Sequence, residues 1–423
     1  ARQAASLPAG VVAMEEIDPG SVPLPQDYEA NPGRGGDLAM ILLTAGRQAK
    51  PRLARITNQR WAFSAYGSAA ACGLSSKDTV YCCLPLHHPA GMLVALGGGL
   101  VGGSRLALAS GFEPETFWDE VRRYGATVVF YAGEMLRALL DASPSATDNK
   151  NPVRLFAGSG LRRDVWVRVL QRFGPVAILE FYASTEGLAV LANASGEKQG
   201  ALGRSLPGSA EIRLARYDFE RSELVRSEDG RLVECADEEP GILLARADTM
   251  HPLVSLEDDH GRLSDRLQEG AFEEGDSWFL AQDVLRRDAD GDYWFVDRLG
   301  RMLRTEHGLV ATRSIEDALY AYGAIRQAVV YGVADAGTDV PVAVLATEGD
   351  VPLDLEALSA FARRLPALRR PGYIRQQASI PMTDGFRPDK ARLQSADPPT
   401  GEGVFVWDAT KEAYVPAREA AGL

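Results

Sequence analysis

Residues whose types could carry out chemistry occur in six short segments of the sequence. In chain order the segments are 44–52, 84–91, 157–162, 181–187, 283 with 293–301, and 382–390. Glu186 offers the kind of oxygen ligand that a hard cation prefers. Gly158 and Gly160 lack side chains, so a ligand can approach the backbone around Ser159 closely. These residue types suit a site that holds a metal ion and a ligand lying against the backbone.

Apolar runs that alternate with helical patterns must position these segments. Strands are predicted at 38–43, 79–84, 105–109, 126–131, 153–157 and 177–181. Strands that alternate with helices predict a layered α/β domain with a largely parallel sheet, and the run at 38–43 is expected to be a buried strand. From about Gly200 shorter β-like segments predict a β subdomain, and a compact α+β unit follows residue 300.

Composition excludes several classes of function. The 423 residues carry a net charge of −13, which argues against nucleic acid as a partner. The four cysteines show no CxxC spacing, so a disulfide framework or zinc site is not expected. A reducing, cytoplasmic location is expected instead. No apolar run reaches the length of about 18 residues that a transmembrane helix needs.

The six segments, in this order, resemble the adenylate-forming superfamily of acyl-CoA synthetases, peptide-synthetase adenylation domains and luciferases. The similarity is greatest to the fatty-acid transport protein and very-long-chain acyl-CoA synthetase branch, through FYASTEG, GSGLRRDVW, YWFVDRLGRMLR, GFRPDK and the YVP at 414–416. It spans about residues 38 to 418. It implies a large layered α/β domain with a β subdomain, residues 1–297, and a small, mobile α+β C-terminal domain, residues 298–423, which rotates about Gly300.

The resemblance also implies a reaction. A small-molecule carboxylic acid attacks the α-phosphate of ATP in the presence of Mg²⁺, giving acyl-AMP and pyrophosphate. Coenzyme A or another nucleophile then displaces AMP. The setting it implies is fatty acid metabolism or a specialised bacterial pathway.

Nucleotide-binding roles follow from the same resemblance. Tyr182 matches the aromatic residue that stacks on adenine, and Asp283 and Arg298 match the residues that hold the ribose hydroxyls. Other residues match positions around the adenine or the phosphates: Gly158, Ser159 and Gly160 in a tight turn against the base, Thr44 and Gly46 in the phosphate loop, Thr185 as a phosphate-contacting hydroxyl, and Glu186 as the Mg²⁺ ligand.

The remaining roles concern catalysis and the acid. Arg387 is the candidate transition-state cation, and Arg304 is expected to act in the alternate domain pose. His88 matches a histidine at the acyl entrance, and Gly133 lies in the segment that resembles a tunnel gate. The helix at 91–103 is expected to line the acyl cavity, where its glycines either allow close helix contact or widen the pocket.

Several positions depart from the family pattern. Ala45, Arg47, Gln48 and Ala49 replace much of the small, hydroxyl-rich phosphate loop. Glu306-His307 stands in place of a Lys-Gly pair, and Arg387 in place of a lysine. Three readings therefore stay open: a ligase that adenylates a carboxylate, a relative that activates a small oxyanion such as nitrite or transfers to an amine, and a catalytically inactive binding or scaffold homologue.

The segment before Thr44 is shorter than the family's. Only 43 residues precede it, and the family's longer segment builds part of the large domain. An incomplete N-terminal portion, a homo-oligomer or a second, complementing chain is therefore expected, because apolar sheet surface would otherwise be exposed.

Overall fold

A computed structural model describes residues 33–45, 51–183, 188–248, 266–347, 349 and 351–417. It begins with an antiparallel hairpin of β1 (Leu38–Ala45) and β2 (Pro51–Thr57). The expectation of a buried strand at 38–43 is wrong, because Leu38 is 44% and Ile41 50% exposed. A two-stranded antiparallel hairpin packs only one of its faces against the rest of the chain, so apolar side chains on its other face remain in solvent.

A seven-stranded sheet forms the centre of the large α/β part. In sequence order its strands are β3 (Thr79–Cys82), β4 (Arg105–Leu108), β5 (Val128–Ala132), β6 (Leu155–Ser159), β7 (Ala177–Ala183), β8 (Val190–Asn193) and β9 (Arg204–Ser205). The spatial order is β4-β3-β5-β6-β7-β8-β9, and the first five of these strands are parallel. The predicted, largely parallel sheet is therefore confirmed.

Helices cover this sheet and connect its strands. They are α1 (Asn58–Ala71), a π-helical turn Ala90–Leu96 leading into α2 (Gly97–Val101), α3 (Pro114–Tyr124), α4 (Gly133–Asp141) and α5 (Arg163–Phe173). Buried Phe130, Phe156, Trp166 and Met135 belong to one core cluster between the layers. Strands buried on both faces need near-continuous apolar sequences, which β5 and β6 provide.

The predicted β subdomain follows as an antiparallel sheet. Its strands are β10 (Ile212–Ala215), β13 (Gly241–Arg246), β14 (Leu267–Glu269), β15 (Ser277–Arg287) and β16 (Tyr293–Arg298), and a separate hairpin is formed by β11 (Tyr217–Asp218) and β12 (Glu223–Leu224). In the β15–β16 ladder, Asp283 pairs directly with Arg298.

The C-terminal α+β unit follows a 3₁₀ turn, Leu299–Arg301. Its elements are β17 (Met302–Thr305), β18 (Gly308–Ala311), α6 (Thr312–Tyr320), β19 (Ile325–Asp335), β20 (Thr338–Thr347), α7 (Leu355–Arg364), β21 (Tyr373–Gln376), α8 (Lys390–Leu393), β22 (Val404–Asp408) and β23 (Ala413–Pro416). β19 to β23 form one five-stranded sheet. The division at 297/298 stays a prediction, as does the hinge at Gly300, whose surroundings are open. No helix in the described ranges is long and apolar enough to cross a membrane.

Candidate active site

The carboxyl ends of β5, β6 and β7 meet at one edge of the parallel sheet, which is where such sheets bind ligands. A glycine turn (Gly158, Ser159 and Gly160) ends β6 there. A Cβ on Gly158 would lie 2.2 Å from the carbonyl oxygen of Tyr131, and Gly160 has φ +91°. Gly133, the candidate gate residue, begins α4, and a Cβ there would lie 2.3 Å from the Gly160 carbonyl oxygen. These glycines therefore let two loops touch.

Tyr182, Asp283 and Arg298 form a shelf beside this turn. The Tyr182 hydroxyl donates to Asp283 Oδ2 at 2.5 Å, and Arg298 Nε lies 3.6 Å from Asp283 Oδ1. Tyr182 comes from the parallel sheet, whereas the other two are ladder partners in the antiparallel sheet. The structure thus brings together the three residues that the resemblance assigns to adenosine.

Arg387 reaches this edge from the C-terminal unit. It is carried by a closing segment (382–390), in which Met382 and Pro388 form a β-bridge. Arg387 Nη2 donates to Ser159 Oγ at 3.3 Å. Phe386 has φ +56°, and its ring packs edge-on against Phe112 of the large part at 5.7 Å between centroids. We refer to this arrangement as the closed pose.

Positive charge is concentrated in the cleft. Burial, and then the proximity of Arg298, lower the pKa of Arg387, although part of that side chain still reaches solvent. Burial and Arg298 likewise lower the pKa of Arg301. Cations that repel one another in a crowded cleft favour an anionic ligand, and arginine suits phosphate oxygens especially well.

Lys390 has other partners. Its Nζ lies 2.8 Å from Glu316 Oε1 and donates to Thr312 Oγ1 at 3.0 Å. Burial alone would raise the pKa of Glu316, but Lys390 and Arg162 outweigh it and lower that pKa to about 2. Lys390 therefore stabilises the C-terminal unit in this pose, whereas Arg387 faces the cleft.

A domain seam (Arg137, Arg162, Glu316, Asp317 and Tyr320) fixes the C-terminal unit against the large part. Arg162, two residues beyond the glycine turn, donates to the carboxylates of Glu316 and Asp317 on α6. The Tyr320 ring lies under the guanidinium groups of Arg137 at 4.0 Å and Arg162 at 5.4 Å. The seam therefore connects the position of α6 to the end of the turn.

His88 lies next to the closing segment. Its Nδ1 accepts from the backbone N–H of Ala90 at 3.2 Å, and a Cβ on Gly385 would lie 3.6 Å from its Nε2. Burial, followed by the charge of Arg387, lowers the pKa of His88. A neutral imidazole here can contact an incoming acid at neutral pH.

The glycines of the expected acyl helix have a packing role. Cβ atoms on Gly97, Gly98 and Gly99 would lie 2.9 Å from Trp61 Nε1, 2.6 Å from Ser68 Oγ and 2.4 Å from Leu106 Cδ2. Of the two roles that the sequence leaves open for them, the structure therefore shows close helix contact.

The other predicted residues lie elsewhere. Arg304 is on β17, where its N–H donates to Asp339 and its Nη1 to the carbonyl of Glu220 at 3.3 Å. At the β17–β18 turn, His307 Nε2 lies 3.4 Å from Glu306 Oε1. Thr44 lies in β1, but the structure does not describe its side chain. Gly46, Thr185 and Glu186 lie outside the described residues.

Sequence reasoning missed Glu180. Its carboxylate accepts from the N–H groups of Gly160 and Leu161 and from the Tyr131 hydroxyl, and only 2% of the residue is exposed. The available signal was an acidic residue inside an otherwise apolar strand, since charged residues are rarely buried without partners.

Comparison with known proteins agrees with this geometry. The model of the AMP-binding enzyme family matches residues 4–250. Long-chain fatty acid transport protein 3 of Mus musculus is 32% identical over 411 residues, 95% of this chain and 61% of that protein. A medium/long-chain-fatty-acid–CoA ligase of Mycobacterium tuberculosis is 30% identical over 415 residues, 96% of this chain and 68% of that protein.

Solved structures show the same fold at lower identity. ATP-bound MatB from Rhodopseudomonas palustris has a TM-score of 0.71 at 20% identity, covering 85% of this chain and 68% of that one. The anthranilate CoA ligase AuaEII in complex with anthranoyl-AMP has a TM-score of 0.71 at 18% identity, covering 86% and 68%. This chain spans about 60% of the length of the fatty acid transport proteins that it matches. Family match, relatives and fold agree: the chain belongs to the AMP-binding enzyme family, in the branch of the fatty acid transport proteins and acyl-CoA ligases.

Proposed function

We propose that this chain uses ATP to adenylate a carboxylic acid and then transfers the acyl group to coenzyme A or to another nucleophile. One observation carries the proposal. In the closed pose, Arg387 of the C-terminal unit reaches Ser159 of the large part, beside the shelf of Tyr182, Asp283 and Arg298. A guanidinium is thereby brought into the cleft in which a nucleotide on the shelf would lie.

The first step needs charge stabilisation more than proton transfer. A carboxylate, ionised at neutral pH, attacks the α-phosphorus, the bond to the bridging oxygen of the β-phosphate breaks, and pyrophosphate leaves. Negative charge increases on the α-phosphate oxygens and on the leaving group. Arg387, Arg298 and Arg301 supply positive charge in a crowded cleft, where fixed charges act strongly.

The substrate in this proposal is MgATP. Two described carboxylates at the cleft already have partners, because Asp283 contacts Tyr182 and Arg298, and Glu180 accepts from the glycine turn. Mg²⁺ commonly takes one or two carboxylates together with substrate phosphates. Glu186 is the proposed carboxylate, on the strength of the family motif alone.

A second candidate differs chiefly in the acceptor of the activated group. The exposed side chains of Glu306 and His307 lie 3.4 Å apart at a turn where the family has a lysine and a glycine. A carboxylate at that turn would repel the phosphates of coenzyme A and would tolerate an amine. Activation of a small oxyanion such as nitrite, with an amine as acceptor, belongs to this second candidate.

Carboxylate-dependent exchange of radiolabelled pyrophosphate into ATP tests the first step. The reaction, run with acids of increasing chain length and with nitrite, should give exchange and a mass-spectrometric acyl-AMP with at least one acid. Arg387→Ala should lower exchange at least about 100-fold, the usual effect of removing one transition-state donor. Arg392→Ala is the matched control, since Arg392 lies in the same region but is 74% exposed and pairs with Asp389.

The outcomes separate the readings. Exchange with a thioester product supports transfer to coenzyme A, and exchange without one supports the second candidate. A folded chain that neither exchanges pyrophosphate nor binds AMP would refute the proposal and leave the scaffold reading.

We also propose a cytoplasmic location. All four cysteines lie within the described residues, and each is a free, buried thiol. Free thiols are typical of reducing compartments.

A further inference from the structure

We infer that Glu180 is a positioning residue of the nucleotide cleft: its buried carboxylate holds the glycine turn where adenine and Arg387 must meet it. The identity of the ligand rests on the proposed function, whereas the contact between Glu180 and the turn does not.

Every polar partner of the Glu180 carboxylate is a donor at the cleft edge. Oε1 accepts from the N–H of Gly160 at 2.5 Å and of Leu161 at 3.2 Å, and Oε2 accepts from the Tyr131 hydroxyl at 2.6 Å. The residue therefore joins the carboxyl ends of three neighbouring strands: β5 through Tyr131, β6 through the turn, and its own strand β7.

The turn needs such an anchor because of its composition. Gly160 adopts a backbone conformation that suits glycine, and glycine has the most conformational freedom to lose on ordering. Gly158 has no side chain that could fix the turn, and none would fit against Tyr131. Hydrogen bonds from Gly160 and Leu161 to a fixed carboxylate replace the missing side-chain contacts.

The position of the turn has consequences on both of its sides. Ser159, at its centre, accepts the hydrogen bond from Arg387. Arg162, just beyond it, bonds to Glu316 and Asp317 across the domain seam. Movement of the turn would therefore displace the adenine-binding backbone and the closed pose together.

A buried carboxylate is a costly way to fill this space. Burial raises the pKa of Glu180 to about 7, even though Tyr131 and the two backbone N–H groups favour its ionised form. Arg313 from α6 and Arg387 from the closing segment also face this charge. An apolar side chain would fill the strand position without this cost, but it would leave two backbone donors of the turn unbonded.

The test compares Glu180→Leu with Glu180→Gln in the full chain. Leucine keeps the volume and loses every acceptor, whereas glutamine keeps an oxygen for the turn and can donate its amide to the Tyr131 hydroxyl. Asp276 is the matched control: it is also buried, and it accepts from the N–H groups of Phe272 and Glu273 and from the Trp278 indole, in the β subdomain. Asp276→Leu and Asp276→Asn separate a general loss of stability from a local effect on the cleft.

Hydrogen–deuterium exchange of the segment 158–162 reports the anchor without any nucleotide. Glu180→Leu should speed its exchange about tenfold or more, as loss of hydrogen bonds to a charged group predicts, while Glu180→Gln and both Asp276 variants leave it near the wild-type rate. In calorimetry the Kd for AMP should rise about tenfold in Glu180→Leu and return to within about threefold in Glu180→Gln. In pyrophosphate–ATP exchange, Glu180→Leu should raise the KM for ATP and leave the KM for the acid unchanged.

Two results would overturn the inference: unchanged exchange of 158–162 in Glu180→Leu, or faster exchange there with unaltered AMP affinity. If Glu180→Leu does not fold, two milder variants decide the matter. Glu180→Gln should bind AMP with nearly wild-type affinity, and Tyr131→Phe should bind it several-fold more weakly. Failure of the wild-type chain to bind AMP would instead refute the proposed function, and hydrogen exchange would still show whether Glu180 holds the turn.

Discussion

Replacing Arg162 by methionine should weaken the closed pose without unfolding either part of the chain. Methionine keeps most of the apolar stem and removes the guanidinium. The lost ion pairs are those to Glu316, whose side chain is 4% exposed, and to Asp317, whose side chain is 52% exposed.

The size of the effect follows from what remains. Breaking a buried ion pair by removing one partner typically costs about 3–5 kcal/mol, because the other charge is left alone. Glu316 is not left alone, since Lys390 Nζ stays 2.8 Å away and the Val330 N–H still donates to it at 2.9 Å. The half-exposed pair with Asp317 adds less than about 1 kcal/mol. We therefore expect the closed pose to lose about 2 kcal/mol, or about 30-fold in its ratio to open poses.

Half-reactions measured separately test this expectation. Formation of acyl-AMP from ATP and acid should slow by up to about 30-fold, whereas transfer from supplied acyl-AMP should slow much less. Arg163→Met, an exposed neighbour at the start of α5, is the control. Equal losses in both half-reactions, or adenylation as fast as wild type together with an unchanged domain distance by fluorescence energy transfer, would contradict the assignment of the seam.

Three further predictions concern the hinge, the anchor and the closing segment. Gly300→Pro, in the 3₁₀ turn between the two parts, should reduce acyl transfer more than adenylation, because proline restricts the φ change that a rotation needs; equal loss of both steps would contradict the hinge. Glu180 has a pKa of about 7 in the folded state, above its unfolded value of about 4.5. Because the folded state binds more protons between these pH values, the free energy of unfolding should fall by up to about 3 kcal/mol as pH rises from about 4.5 to 7. Urea unfolding at several pH values should show that slope in wild type and a shallower one in Glu180→Gln. Phe112→Ala removes the ring that Phe386 packs against and should lower the rate of pyrophosphate–ATP exchange about tenfold, with little change in AMP affinity. A parallel loss of AMP binding would show instead that Phe112 acts on the nucleotide site itself.

The fold was predictable because its signals are local. Alternating strand and helix patterns between about 79 and 181 predict the parallel sheet, and the change to short β-like segments predicts the antiparallel one. The expectation of a buried strand at 38–43 is wrong, because an apolar run does not reveal whether one face or both faces of a strand will be covered.

The candidate site was predictable only in part. Asp283 and Arg298 could be identified from motifs, and a ladder between adjacent strands brings them together. Arg162 and Glu316 are 154 positions apart and meet only when the two parts close, so no local pattern indicates their contact. Glu180 was missed because two of its three donors, from Gly160 and Leu161, are backbone N–H groups, which every residue type except proline provides.

In the closed pose, repulsion between arginines opposes closure, and contacts between the two parts of the chain favour it. A bound nucleotide would change the first of these and leave the second. Burial, followed by the charge of Arg298, lowers the pKa of Arg387 in the closed pose, so closure without a ligand is opposed by desolvation and by charge repulsion. The contacts that favour closure flank the cleft, in the Phe386–Phe112 contact and in the pairing of Arg162 with α6. A triphosphate beside the shelf would remove the repulsion, and the same peripheral contacts would then act unopposed. Loss of pyrophosphate would restore part of the repulsion, which would favour reopening after the first step. Substrate charge and domain pose are therefore coupled through Arg387, and the arginine at this position keeps that coupling even though the family usually has a lysine there.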